Sequence, residues 1–213
     1  MSIMRREYDN YDSYLKHQAA KLTIGVKKKI KKFMPEYFEK NMQAFKKRIG
    51  GFQKYVKQGK ILCLGARTGA EVAAFKNLGF EDSIGIDLNP GKHNKYVVKG
   101  DFHHMPFNDS DFSTVYCNCI DHAWNLKALS KETGRVLQDN GVLILEIDHL
   151  LNKNKKRRKE LLKKPSKYES VLWGDFKDIE KQFEEFKLIT KFVSVYEIFL
   201  VAVFEKNKKN EHE

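Results

Sequence analysis

The sequence predicts an α/β fold: a doubly wound, mostly parallel sheet closed by an antiparallel C-terminal hairpin and preceded by a helical N-terminal extension. Three observations predict it. From Lys60 onward, short apolar runs alternate with helix-period patterns, as in a sheet whose parallel strands are joined by helices. A glycine-containing loop, Gly65 to Gly69, joins the first apolar run to the first such helix. Two β-rich runs near the C-terminus, 187–193 and 198–204, lie close enough in sequence to pair with each other.

Residues 1–58 read as helical and basic, with Tyr8, Tyr11 and Tyr14 near the start and the Lys-rich amphipathic stretch VKKKIKKFM at 26–34. Pro35 and Gly50-Gly51 are expected to punctuate this region. Five apolar runs then supply the strands: 60–65, 83–88, 95–100, 112–120 and 141–147. After the first, Ala70, Val72, Ala73, Ala74, Phe75 and Leu78 form the apolar face of a helix that Gly79 stops. A second helix spans Leu126 to Leu137 and ends in the turn Asp139-Asn140-Gly141. Phe176, Ile179, Phe183 and Phe186, spaced by three or four, predict a helix over 176–186 before the final hairpin.

The chain's 213 residues leave room for one sizeable core. The expected organisation is an extension (1–58), one domain (59–205) with a basic insertion at 151–165, and a frayed tail (206–213). No apolar run reaches the roughly 20 residues that span a bilayer, and the start lacks the apolar core of a secretory signal, so a cytoplasmic protein is expected. Cys63, Cys117 and Cys119 lie in apolar stretches and suggest neither a disulfide framework nor, without a second ligand pair, a metal site. The net charge of +12 is unevenly placed: 1–58 carry +10, 151–165 carry +7 and the remainder −5. Either these segments face an anionic substrate, nucleic acid or membrane surface, or they are a solvated Lys-rich face.

A strand that runs through a glycine loop into a helix sets backbone N–H groups and the positive helix end beside a ligand. The loop Gly65-Ala66-Arg67-Thr68-Gly69 has neither the G-x-G-x-x-G of dinucleotide sites nor the G-x-x-x-x-G-K-[ST] of a P-loop, which disfavours NAD and ATP. Asp87 ends the second strand 18 residues after Gly69, where a carboxylate would accept hydrogen bonds from two ribose hydroxyls. Asp101, in Gly100-Asp101-Phe102, ends the third.

In order, strand-GxxxG-helix, SIGIDL, VVKGDFHHMPF, FSTVYCNC and GRVLQDNGVLIL resemble the class I S-adenosylmethionine (SAM)-dependent methyltransferases over about 60–147, and within them those whose loop reads LGARTG followed by Glu. The resemblance implies a Rossmann-like sheet with SAM as cofactor. The backbone of Gly65, Ala66, Arg67, Thr68 and Gly69 would hold its methionine part, Asp87 its ribose and Asp101 the adenine amino group. Phe102 and Leu88 would flank the ring, and Asn118 would join the cofactor site. Two positions depart from the family. Cys63 stands where an acid is usual, and Arg67 stands where the loop's middle glycine is usual, so Arg67 must take a turn geometry suited to glycine or the loop must change. Glu71 could replace the missing carboxylate toward the SAM ammonium or simply complement its helix end. Arg67 could contact the SAM carboxylate or point to solvent.

Methyl transfer is an in-line displacement, so the protein positions the acceptor and, for a hydroxyl, removes its proton. Beside the fourth strand's end, His122 is the leading base and Asp121 could orient it or bind substrate. His103 and His104 are second candidates. Packing or helix-start roles are the alternatives for all three histidines, and core packing is the alternative for Trp173 and the tyrosines as a lid or platform. The sequence NCID after strand four lacks the [DNS]-P-P-[FYW] of adenine and cytosine amino methylation, and no Cys follows Pro as five-position cytosine chemistry requires. A small-molecule or glycan O-methyltransferase is therefore expected first. An RNA methyltransferase using the basic N-terminal and 152–164 segments is second, and a non-catalytic SAM-binding protein third.

Overall fold

The computed structural model describes residues 3–20, 26–90, 94–148, 169–194 and 199–208. In chain order the elements are β1 (Ile3–Arg5), α1 (Tyr11–Ala20), α2 (Val26–Gly50), β2 (Ile61–Leu64), α3 (Ala70–Asn77), β3 (Ser83–Asp87), β4 (Val97–Lys99) and β5 (Phe112–Cys117). They continue with α4 (Leu126–Val136), β6 (Leu137–Asp148), β7 (Val171–Trp173), α5 (Phe176–Glu180), β8 (Phe186–Val193) and β9 (Phe199–Lys206). Seven strands form one sheet in the order β4-β3-β2-β5-β6-β9-β8. Its first five strands are parallel, and β9 runs antiparallel to both β6 and β8. This is the doubly wound, Rossmann-like α/β architecture with the antiparallel hairpin that the strand pattern predicts.

Strand alternation divides the core into two layers. Ile61, Cys63, Tyr116, Ile144, Val201 and Val203 face α2 and α3. Leu62, Leu64, Val115, Cys117, Leu143, Leu145 and Phe204 face α4, α5 and Trp173. On the α2 side, the layer contains a buried ion pair: the Arg48 guanidinium meets the Glu146 carboxylate through two hydrogen bonds of 3.1 and 2.7 Å. The Tyr116 hydroxyl donates to the same carboxylate. Arg48 also lies over the rings of Phe45 and Phe199, so α2 is built into the domain core.

Several sequence expectations shift at element ends. Pro35 does not end a helix, since α2 continues through it to Gly50. The fourth strand stops at Cys117, and Ile120–His122 form a 3-10 turn. The Asp139-Asn140-Gly141 turn is a bulge at the start of β6: pairing jumps from Leu137 opposite Phe112 to Val142 opposite Thr114, and Asn140 takes a φ of 59°. The helix predicted over 176–186 is α5 plus a 3-10 turn, because the β8 ladder takes Phe186 opposite Lys206. All four aromatic or aliphatic positions of that segment are nevertheless buried. The antiparallel pair β1–β7 has no counterpart in the sequence reading. The side chains of 26–34, the basic insertion at 151–165 and the tail beyond 208 lie outside the described residues.

Candidate active site

The β2 strand pairs with β3 on one side and β5 on the other, so connections leave it in opposite directions and a crevice opens at its C-terminal end. A cleft of about 300 Å³ lies there, lined by the ends of β2 (Gly65, Arg67), β3 (Asp87, Leu88, Asn89) and β5 (Asn118, Cys119, His122), with Phe102 and, from α1, Tyr14 and Gln18.

The loop after β2 turns sharply. Gly65 and Gly69 have φ of 66° and 82°, and Arg67 between them has φ 38°, the left-handed geometry expected of the glycine it replaces. A Cβ on Gly65 would collide with Cys119 Sγ, and one on Gly69 would lie 2.5 Å from Tyr96 Cβ. The turn is held from both sides: Arg67 N donates to Asp87 Oδ2 at 3.1 Å, and Asn94 Nδ2 donates to Arg67 O at 2.9 Å. Ala66 is buried under the loop, Thr68 is half-buried, and Gly69 caps α3. The other oxygen of Asp87 accepts from Asn89 N at 2.6 Å, which aims the carboxylate at the strand end.

Glu71 lies beneath the loop in the first turn of α3 and is not among the residues that line the cleft. Burial pushes its carboxyl up from 4.5 to about 8, against the pull of its own backbone N–H and of Arg48, and with Asp87 adding to the rise. Cys63, buried in β2, has its thiol pushed up by burial and then by Glu71, so Glu71's charge bears on the position where the family has its acid. A carboxyl raised by folding binds more protons in the native state between the two values. Its stabilising contribution is full below about 4.5 and is lost as the pH rises through about 8. Replacing Glu71 with Gln should flatten this slope, and urea unfolding at about pH 5.5 and about pH 9 should show the variant gaining more on wild type at the higher value.

Asp101 has a different set of neighbours. One oxygen accepts from the Tyr11 hydroxyl, and the other accepts from His103 N at 2.9 Å and meets His103 Nδ1 at 2.7 Å. Burial would raise this carboxyl, but these hydrogen bonds outweigh it and hold Asp101 below the ordinary carboxylate range. His103 Nε2 accepts from Asn125 N at 3.2 Å, so Nδ1 carries the proton that Asp101 receives. His103 thus ties Asp101 to the start of α4, while His104 forms an isolated bridge with Asp101. Neither Asp101 nor these histidines line the cleft, whereas the neighbouring Phe102 does.

His122 sits in the 3-10 turn after β5, with its N–H donating to Cys119 O at 2.9 Å and its Nε2 3.7 Å from Asp121 Oδ2. Ser170 fastens this turn to α1. Its N–H donates to Asp121 O at 2.7 Å and its hydroxyl to His122 O at 3.2 Å, and Tyr8 and Gln18 reach the same hydroxyl. The strap explains how α1 comes to form a wall of the cleft. Tyr14, one of the tyrosines read as a lid or platform or as core packing, lines the cleft, and so does Gln18, which the sequence reading did not place; their spacing of four puts them on one helical face. Tyr11, Tyr14 and Trp124 pack together at centroid distances of 5.1 to 6.2 Å. Trp173 is buried in the core, and Cys117 and Cys119 face each other at 3.9 Å as free thiols. Among the described residues, no group of three or more His, Cys, Asp or Glu is arranged to hold a metal ion, and no helix is long and apolar enough to cross a membrane.

A doubly wound sheet with a glycine turn after its first strand and an acid at the end of the next is the architecture of class I SAM-dependent methyltransferases. Residues 62–145 match the family model of the methyltransferase domain, and the chain shares the fold of solved SAM-dependent methyltransferases. A protein of Methanocaldococcus jannaschii without assigned function is 26% identical over 93% of this chain and 85% of its own length. The fold is shared with a methyltransferase solved in complex with the Haloferax volcanii activator Trm112 (TM-score 0.61, 12% identity, 80% of this chain and 95% of that one). A SAM-dependent methyltransferase from Thermotoga maritima gives a TM-score of 0.58 at 17% identity, over 84% of this chain and 98% of that one. The geranyl diphosphate C-methyltransferase of Streptomyces coelicolor, solved with S-adenosylhomocysteine, gives 0.53 at 10% identity over 72% and 74%. The cleft has features that suit SAM: a side-chain-free cradle at Gly65 and a carboxylate at the end of β3.

Proposed function

We propose that the protein methylates a hydroxyl group on a small-molecule or glycan acceptor in the cytoplasm, with His122 as the base. The observation that carries this reading is the make-up of the cleft: Tyr14 and Gln18 of α1 line it together with Asn118 and His122, and the Ser170 hydroxyl bonds to both Gln18 and the His122 carbonyl. A cleft of about 300 Å³ that also has to hold SAM leaves room for only a compact acceptor group. The backbone of Gly65–Gly69 would bound the methionine part of SAM, and Asp87 would accept from its ribose. Phe102 and Leu88, which line the cleft, would flank the adenine; Asp101, expected to meet the adenine amino group, does not line it. Glu71, beneath the loop, would take the place of the acid missing at Cys63 only when SAM's ammonium draws off its proton. Bound SAM supplies an electrophilic methyl group on a sulfonium. Asn118 and Tyr14 align the acceptor hydroxyl, His122 takes its proton at a ring nitrogen, and Asp121 favours the charged imidazole that results. The three free thiols agree with a reducing compartment.

A labelled-methyl assay against separated fractions of small molecules, glycans, RNA and protein tests the acceptor class. Label should enter the small-molecule or glycan fraction. Label in bulk RNA, falling steeply with salt, would replace this reading with RNA methylation, which the +10 charge of residues 1–58 favours.

A further inference from the structure

We propose that Arg67 makes the protein selective for a cofactor bearing a carboxylate, by pairing its guanidinium with the carboxylate of SAM. The inference rests on SAM occupying the cleft and concerns how one end of it is recognised. Two independent observations carry it.

The first is conformational. Arg67 holds a φ of 38°, where a residue with a Cβ is disfavoured and glycine is not. The strain is sustained by its surroundings, with Asp87 holding its N–H and Asn94 its carbonyl. Glycine would give the same turn without strain, so the side chain is retained against the interest of the fold. Such cost is expected where a side chain serves a ligand.

The second is chemical. Arg67 lines the cleft beside Gly65, Asp87 and Leu88, and its Nη2 is shut off from solvent with no hydrogen-bond partner. A buried guanidinium N–H without an acceptor is costly, and a ligand that supplies the acceptor recovers that cost. Among the groups of SAM, namely adenine, ribose, sulfonium, ammonium and carboxylate, only the last is anionic. It also matches the forked donors of arginine, which bind a carboxylate through two parallel hydrogen bonds. At this position the guanidinium adds a charge-assisted contact to a loop that in glycine-bearing relatives offers only its backbone.

Calorimetric titration of the full-length protein tests this with two ligands, S-adenosylhomocysteine and decarboxylated SAM, which lacks only the carboxylate among the groups Arg67 would read. Wild type should prefer S-adenosylhomocysteine. Arg67→Gly should lose about 10- to 100-fold of its affinity for that ligand and almost none for the decarboxylated one. The variant's melting temperature should equal or exceed that of wild type, because glycine suits the turn. Equal losses for both ligands would overturn the proposal and make Arg67 a shaper of the loop. If Arg67→Gly proved poorly folded, the same comparison on Arg67→Gln decides the matter, since glutamine keeps the backbone restriction and removes the charge. Failure of wild type to bind either ligand would instead remove the SAM reading itself, a distinct outcome.

Discussion

Replacing His122 with glutamine is expected to lower kcat about 10²- to 10⁴-fold, the range that a positioned general base contributes, while leaving affinity for S-adenosylhomocysteine unchanged. The backbone of the 3-10 turn is fixed independently of the ring, by His122 N to Cys119 O and by the Ser170 hydroxyl to His122 O. The substitution therefore removes a proton acceptor without releasing the turn. Glutamine is close in length and polar, but it cannot take a proton at neutral pH. A parallel fall in cofactor affinity would mean that the turn had moved. An unchanged kcat would show that the acceptor needs no base from His122.

The second large effect lies in the fold. Arg48→Met should destabilise the protein by about 3–5 kcal/mol, because it strands the Glu146 carboxylate in the core. That side chain is 0% exposed, and Arg48 is only 11% exposed. Adding Glu146→Leu should restore part of the loss, since replacing both ions by apolar groups is often neutral or better but leaves the buried Tyr116 hydroxyl without its acceptor. Denaturant unfolding of the two single variants and the double variant measures this directly. Both partners lie outside residues 62–145, the segment that matches the methyltransferase domain. The clamp therefore makes α2 part of the folding unit, and removing residues 1–58 should unfold the domain as well as uncover the cleft.

Sequence patterning anticipated the sheet because each of its five parallel strands carries an apolar run bounded by turn residues. The glycine loop and Asp87 followed from where those strands end. The sequence left Arg67 either to take a turn suited to glycine or to change the loop, and its φ of 38° is the first of these. Other features depend on contacts that no local pattern encodes. Strands β1 and β7 have three residues each, too few to show a period of two, and they pair across some 170 positions of sequence. Phe186 fits a helical spacing equally well, and only the partner strand β9 assigns it to the ladder. Asp101 stands at the expected strand end, but its oxygens are met by Tyr11 and His103, one of them from a helix 90 residues earlier in the chain. Tyr14 and Gln18 show the same limit: their common face is legible, but what that face covers is decided by Ser170.

Each role assigned to the cleft after β2 requires it to hold SAM, and thermal unfolding with S-adenosylhomocysteine tests that most directly. A ligand present at about 100 times its Kd stabilises the fold by about 2.7 kcal/mol, so the melting temperature should rise by roughly 5–10 °C at millimolar ligand. The same addition to Asp87→Ala, which lacks the carboxylate at the end of β3, should give a much smaller rise. No shift in wild type at millimolar concentration, or an equal shift in both proteins, would contradict the account.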